Sequence, residues 1–269
     1  MREALAEANM GFELNINTSV SPKALEGRMN DYWSERAQSY STQNMCQFES
    51  EKRTAWEELI FYGIDETKPL KVLDIGTGPG FFAILAALRG HEVTAADMNA
   101  DMLFEAQLNA KKAGCKINFV HVGDNLPFAE ESFDLIISRD VTWTLTEPER
   151  QLSLWAGKLK KGGVMRYFDA QWYNFLLDEN AVKKHEYKKE EVAKNGGFTY
   201  KKAYKLNEIA QGLPMTYNAR PLWDRVFWSG LGGFGFDVYE NLNRYVYNKT
   251  EQMQYELFPE FMVSVKKAF

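Results

Sequence analysis

Cysteine and histidine are scarce in this chain: two cysteines, Cys46 and Cys115, and three histidines, His91, His121 and His185. Two thiols are too few for a disulfide framework or a zinc site, and the histidines form no spaced metal motif, so no metal is expected. No uninterrupted apolar run approaches the ~20 residues of a membrane span. Met1 to Met10 carries Glu3 and Glu7 and lacks the apolar core of a signal peptide, so a cytoplasmic protein is expected, with no membrane partner. Positive charge is not in excess either. A formal net charge of −5 and a pI near 5.5 argue against a nucleic-acid groove as the main business of the chain. Internal repeats and low-complexity linkers are also lacking. What remains is ordinary globular composition, 45% apolar and 26% charged over 269 residues. That suffices for one full α/β domain, or a domain with a substantial insertion.

The most informative stretch is Lys71-Val72-Leu73-Asp74-Ile75-Gly76-Thr77-Gly78-Pro79-Gly80, followed by the apolar run Phe81 to Leu88. It reads as a buried strand, a glycine loop and a helix, the junction at which a nucleotide-like ligand lies against the carboxyl end of an α/β sheet. The glycines are each two apart. A dinucleotide fingerprint would need glycine at Phe81, and a phosphate-binding loop would need Lys-Ser/Thr where Phe81-Phe82 stand. Asp74, two residues before the first glycine, also argues against a pyrophosphate there.

From Lys71 onward, strand and helix patterns alternate, which predicts a mostly parallel sheet covered on both faces. The expected strands are Val93 to Ala96, ending at Asp97, then Ile117 to Val122, Phe133 to Ser138 and Val164 to Asp169. Asn99 is placed to cap a helix running to Lys112, with Gly114 closing it. Thr146-Glu147-Pro148-Glu149 has capping-box spacing and opens a helix that turns Leu152, Trp155 and Leu159 inward. Lys161-Gly162-Gly163 is expected to turn the chain into the fifth strand. Beyond Asp169 the alternation stops, and Trp172 to about Gly235 reads as an irregular aromatic insertion. Within it, Lys183 to Lys205 holds eight lysines against three glutamates, read as a solvated helical face. Val238 to Tyr247 and Phe261 to Lys266 are expected as two late strands, with Phe258-Pro259 in the turn between them. Near the start, Tyr32, Arg36 and Tyr40 lie four apart and could share one helical face.

The strand, acid, three glycines and apolar helix resemble the first motif of the class I S-adenosylmethionine-dependent methyltransferases. The segment Gly123-Asp124-Asn125-Leu126-Pro127-Phe128, with Phe133-Asp134 beyond, resembles the ubiquinone-biosynthesis-like (methyltransferase type 11) subgroup, one residue tighter than its pattern. The resemblance covers residues 31 to 170, and only the architecture beyond. It implies a Rossmann-like, doubly wound, mostly parallel seven-stranded sheet with an antiparallel closing strand. It implies four regions: an N-terminal helical lid (1–66), a cofactor-binding core (67–170), a cap or substrate insertion (171–236) and closing strands (237–269). It further implies S-adenosylmethionine as cofactor and S-adenosylhomocysteine as product. The loop of Gly76, Thr77, Gly78 and Gly80 would approach the methionine part, with Asp74 organising it. A ligand carrying a sulfonium and an ammonium is better served by a carboxylate than by a lysine. Asp97, 23 residues after Asp74, would hold the ribose hydroxyls. Met98 would pack on the adenine, Asp124 would bond the adenine amino group with Asn125 as its neighbour, and Tyr40 would reach in from the lid.

Arg139 and Asp140 depart from the family, which often carries histidine or asparagine there. Arg139 could hold a carboxylate of cofactor or substrate, or pair with Asp140. The lysine in Leu159-Lys160-Lys161-Gly162-Gly163 replaces a family proline and threatens nothing chemical. Methyl transfer from a sulfonium needs alignment more than a triad, and a base only for a protonated acceptor. The catalytic residue is therefore undetermined from sequence, with Asp140, Tyr40 and His185 as candidates and Asp169 behind them, while His91 and His121 read as structural. Trp143, Trp172, Tyr173, Phe175, Tyr217, Trp223 and Trp228 fall in segments that would surround the cleft. They form either a wall for a planar or cationic small molecule or the core of the insertion. The expected function is methylation of a small molecule. Two rivals stand beside it: a non-catalytic cofactor-binding or regulatory module, and a nicotinamide-dependent oxidoreductase, against which Phe81 counts.

Overall fold

Strand β1 (Lys71–Ile75) is buried from its second residue onward and pairs in parallel with β2 (Glu92–Asp97) and β4 (Phe133–Arg139). In the computed structural model, which describes residues 20–123, 125–194 and 204–268, the sheet grows outward from it. β3 (Asn118–His121) extends it beside β2, and β5 (Leu159–Asp169) beside β4. β7 (Phe261–Lys267) then pairs antiparallel with both β5 and β6 (Phe234–Tyr239). The order is β3-β2-β1-β4-β5-β7-β6, a Rossmann-like sheet of seven strands. The chain moves from β1 to one side and returns at β4 to build the other. That reversal opens a crevice at the carboxyl ends of β1 and β4.

Alternation along each strand builds two cores. Val72, Leu135, Ile137 and Phe168 face α2 (Lys52–Phe61) and α3 (Phe81–Leu88), meeting Trp56, Ile60, Phe81 and Phe82. Leu73, Ile136, Met165 and Val263 face α5 (Pro148–Gly157) and α9 (Leu222–Gly230), meeting Leu152, Trp155 and Trp228. One guanidinium interrupts the apolar pattern of β5: Arg166 donates to Leu59 O, Ile60 O and Tyr62 O, satisfying carbonyls at the end of α2.

Helix α4 (Ala100–Ala113) begins and ends where the spacing predicts. Asn99 Oδ1 accepts from Met102 N at 2.9 Å, and Gly114 takes the left-handed conformation at φ +72°. Several boundaries differ from expectation. β3 is shorter than Ile117 to Val122. Thr146 makes no capping box: its hydroxyl donates to Glu26 Oε1 at 2.8 Å, and Pro148 opens α5 without a side-chain cap. Lys161-Gly162-Gly163 is not a turn before β5 but a bulge within it, because Leu159 already pairs with Phe133 before Val164 pairs with Leu135. The segment after Asp169 is helical rather than irregular: α6 (Glu179–Lys194), α7 (Tyr204–Ala210), α8 (Pro214–Tyr217) and α9. Part of the lysine-rich stretch, residues 195–203, lies outside the described residues. The strand expected over Val238 to Tyr247 ends at Tyr239 and gives way to α10 (Asn243–Val246) and α11 (Lys249–Gln254). Asn243 explains the break: its side chain donates to Tyr255 O and accepts from Glu260 N, folding the connection into a compact loop. No described helix is long and apolar enough to cross a membrane.

The first described element, α1 (Pro22–Met45), lies across the crevice. Asn99 Nδ2 donates to Asn30 O, Asn30 Oδ1 and Ser34 Oγ, each within 3.0 Å. Asn109 Nδ2 donates to Ser41 Oγ and to Pro79 O, both at 2.9 Å, tying α1, α4 and the glycine loop at one point.

Candidate functional site

The glycine loop is held by its own backbone and by two acids. Gly76 N and Thr77 N donate to Ala96 O at 2.8 and 3.1 Å. Asp74 Oδ2 accepts from Thr77 Oγ1 at 2.6 Å and from Ala83 N at 3.0 Å, so the strand acid stitches the loop to the start of α3. Burial pushes its carboxyl up to about 7, against the pull of those two donors. Asp97 Oδ2 accepts from Gly78 N and Oδ1 from Asn99 N, both at 2.8 Å. Its carboxyl too is raised by burial, opposed by those backbone bonds.

The three glycines do different work. At Gly76 (φ +65°) a Cβ would stand 2.3 Å from Val141 Cγ2, so the turn is closed by packing. At Gly80 (φ +89°) it would stand 3.1 Å from Ala106 Cβ; this glycine lets α3 approach α4 and does not border the cleft. At Gly78 (φ +52°) the nearest atom would be Tyr40 Cε1 at 3.9 Å, leaving the backbone bare toward open space.

That space is a cleft of about 1030 Å³ between α1 and the carboxyl ends of β1, β2 and β4. Gly76, Gly78, Asp97, Met98, Arg139 and Tyr40 all border it, so the structure brings most of the expected cofactor residues together. A small recess opens from it among Asp74, Thr77, Gly78, Asn44, Tyr40 and Arg139. Asn125 is exposed and does not border the cleft, and Asp124 lies outside the described residues. Sequence reasoning missed the apolar end formed by Met102, Leu126 and Trp155, and it missed Asn44, whose Oδ1 is buried without a hydrogen-bond partner. A signal existed for Asn44: it follows Tyr40 by four residues and shares its helical face.

Arg139 lies with its guanidinium against Trp56, Phe81 and Phe82, 5.0, 5.2 and 4.9 Å from their ring centres. It borders the cleft and the recess, donates to Gln47 Oε1 at 3.4 Å, and stands 3.8 Å from Asp140 Oδ2. Both roles raised for it survive this geometry. Asp140 itself has φ +57°, and burial pushes its carboxyl up to about 7, opposed by Arg139 and by hydrogen bonding from Trp172 and aided by Asp169.

Beyond Asp140 lies a second pocket of about 1470 Å³, lined by Trp143, Trp172 and Tyr173 and by Tyr40, Tyr247 and Tyr255. Four of the seven expected wall aromatics are not there. Phe175 packs on Phe258 and His185; Tyr217 donates to Gln211 O; Trp223 stacks on Phe227; and Trp228 is buried, donating to the Tyr167 hydroxyl. Phe175 belongs to a small core of the insertion and Trp228 to the core of the sheet, with Trp223 packed against the latter. His185 is likewise corrected as a candidate base: its ring stacks on Phe175 with centres 4.0 Å apart, its pKa is lowered by burial, and it borders neither pocket. Asp169 is committed to Trp143 N, Trp172 Nε1, Thr142 Oγ1 and Arg220, so it positions the wall. His91 and His121 bond Leu70 N and Met98 O respectively.

Comparison with known proteins bears on the family and the fold. Residues 73–167 match a methyltransferase domain family of the type 11 group. The ubiquinone biosynthesis O-methyltransferase of Dinoroseobacter shibae is 34% identical over 39% of this chain and 44% of its own length. The tRNA 5-carboxymethoxyuridine methyltransferase of Escherichia coli K12 is 30% identical over 65% of this chain and 66% of its own. The chain thus spans less than half of the first relative and about two thirds of the second. Among solved structures, the plantazolicin methyltransferase BpumL in complex with S-adenosylhomocysteine superposes with a TM-score of 0.54, 12% identity, and coverage of 91% of this chain and 97% of that one.

Proposed function

From the premise that this chain belongs to the class I S-adenosylmethionine-dependent methyltransferases of the type 11 group, we propose that it methylates a small-molecule acceptor held in the second pocket. The cofactor, S-adenosylmethionine, supplies when bound a methyl group already activated on a sulfonium. The cleft suits it. Gly78 presents backbone that no Cβ fills, and the recess offers a guanidinium at Arg139 and an unpartnered acceptor at Asn44 for a carboxylate and an ammonium. On this reading Asp97 holds the ribose, Met98 and the apolar end hold the adenine, and Thr77 and Asp74 keep the loop in shape. Asn125, exposed, is left without that role, and Gly80 serves packing. Tyr40 and Asn44 reach in from α1, so the described part of the expected 1–66 lid covers the 67–170 core; residues 1–19 lie outside the described residues. Residues 171–236 cap the acceptor side, and 237–269 complete the sheet.

The observation that carries the reading is that cleft and second pocket meet at Arg139 and Asp140, at the end of β4. What the chain contributes is alignment across that meeting point and exclusion of water by α1 and the cap. The small size of the acceptor is supported by the aromatic enclosure and by the acidic balance of the chain. Incubating the protein with cell extract and S-adenosylmethionine labelled on the methyl group tests this. Label is expected in the low-molecular-weight fraction; label in tRNA or protein would refute the small acceptor, and no label would refute turnover.

A further inference from the structure

Two buried carboxylate oxygens have no hydrogen-bond partner: Asp140 Oδ1, on a residue that borders the second pocket, and Glu260 Oε2, on a residue that lies behind the pocket residue Tyr247 and borders neither pocket itself. The other oxygen of each is engaged. Asp140 Oδ2 faces Arg139, and Glu260 Oε1 accepts from the Tyr247 hydroxyl at 2.5 Å. Leaving a buried acceptor unmet is unfavourable, and native proteins keep few such atoms. Asp140 is moreover held in a left-handed conformation, φ +57°, that non-glycine residues seldom adopt. Its backbone is pinned on both sides: Asp140 N donates to Phe168 O, and Trp143 Nε1 donates to Asp140 O, each at 2.9 Å. The result is a carboxylate fixed in the wall shared by the cofactor cleft and the aromatic pocket.

The cations bordering that pocket are already occupied. Lys52 pairs with Glu251, Arg36 donates to Ser39 Oγ and Gln43 Oε1, and Arg139 is assigned above to the carboxylate of the cofactor. Aromatic faces and an unmet carboxylate oxygen together favour a ligand that is cationic and rich in N–H donors.

We propose that the second pocket takes the methyl acceptor as a protonated amine on a ring-bearing frame, held against Trp143, Trp172 and Tyr173, with the Asp140 carboxylate receiving its proton. The inference rests on the methyltransferase reading above and names the acceptor class for it. In the step, an N–H bond of the ammonium breaks, its electron pair stays on nitrogen as a lone pair, and an O–H bond forms on Asp140. Ammonium and carboxylate become amine and carboxylic acid, so charge balances. The nitrogen is then the nucleophile that a sulfonium methyl requires. Burial and the neighbouring acid Asp169 keep the Asp140 carboxyl basic enough to take that proton.

The test is calorimetric titration of the protein saturated with S-adenosylhomocysteine, using 2-phenylethylamine, p-cresol and phenylacetate as probes of matched size. The amine is expected to bind about tenfold or more tightly than either oxygen analogue. Asp140→Asn should weaken the amine by about tenfold while S-adenosylhomocysteine affinity stays within about threefold. Asparagine tolerates the left-handed backbone, so this variant should fold. Trp172→Leu provides a second variant with the same expected loss. Tighter binding of p-cresol or phenylacetate, no binding of the amine, or an Asp140→Asn protein that binds it undiminished would overturn the proposal. Failure of S-adenosylhomocysteine itself to bind would instead overturn the cofactor reading, and the amine proposal with it.

Discussion

Replacing Gly78 by alanine separates what the glycine loop does for the fold from what it does for the ligand. At φ +52° an L-residue costs about 1–2 kcal/mol relative to glycine. The added methyl meets nothing closer than Tyr40 Cε1 at 3.9 Å, and the Gly78 N–H bond to Asp97 is unaffected, so no clash adds to that cost. For a chain of this length the loss corresponds to a fall in Tm of roughly 2–8 °C. The ligand meets a different situation, because the methyl projects from backbone that borders both the cleft and the recess. Overpacking a filled site costs about 1–3 kcal/mol, which is a loss of about 5- to 150-fold in affinity for S-adenosylhomocysteine. Gly90→Ala is the control: it carries similar strain at φ +90° with nothing within 4 Å, and it stands at the far end of α3 from the cleft. Its Tm should fall comparably while its Kd is unchanged. Calorimetric titration beside thermal denaturation reads both quantities. A Gly78→Ala protein that binds as tightly as Gly90→Ala would refute the placement of the cofactor on this loop.

Asp97→Ala should weaken S-adenosylhomocysteine by about 1–3 kcal/mol, since acceptor bonds to the ligand are lost together with the carboxylate that orients Gly78 N; an unchanged Kd would put the ribose elsewhere. Arg220→Ala should cost about 3–5 kcal/mol of stability in denaturant titration, because it strips the partner from Asp169 and Asp224, both fully buried. Near-normal stability would show those acids to be neutral in the native protein. For pH, the groups around Asp140 are Arg139, Asp169, Glu260 and the hydroxyls of Tyr40, Tyr173, Tyr247 and Tyr255. With the Asp140 carboxyl raised to about 7 and active only when ionised, kcat/KM should fall about tenfold per unit below that pH and level off above it. A profile flat from pH 5 to 8, or one unaltered by Asp140→Asn, would remove Asp140 as the base.

The sheet and the loop were legible because their signals are local. The apolar run before Asp74, the glycines and the Asn99 and Gly114 caps each act within a few residues, and the structure contains all of them. The misreadings fall where a distant partner decides. Thr146 could not be seen to prefer Glu26, 120 residues away, to its own helix start. Lys161-Gly162-Gly163 carries the composition of a turn, yet pairing of Leu159 with Phe133 makes it a bulge. The aromatics after Asp169 could line a site or fill a core, and only their partners separate Trp172 from Trp228.

Glu260 shows the limit most clearly, and also how it could be passed. In sequence it is one acid in the run Phe258-Pro259-Glu260-Phe261-Met262-Val263, at the mouth of a strand whose neighbours are buried. A lone carboxylate in such a run must find a donor or stay protonated. Tyr247 supplies one donor, and burial with the charge of Asp140 raises the carboxyl to about 8. Asp140, the residue that departs from the family pattern at the end of β4, is its electrostatic neighbour. The departure and the buried acid thus belong to one arrangement: two strand ends, far apart in sequence, bring their carboxylates within electrostatic reach of each other. Removing the Asp140 charge should then relieve Glu260, so Asp140→Asn should lower the Glu260 carboxyl from about 8 in an NMR titration of its side-chain carbon, and an unmoved value would show that the two acids do not interact.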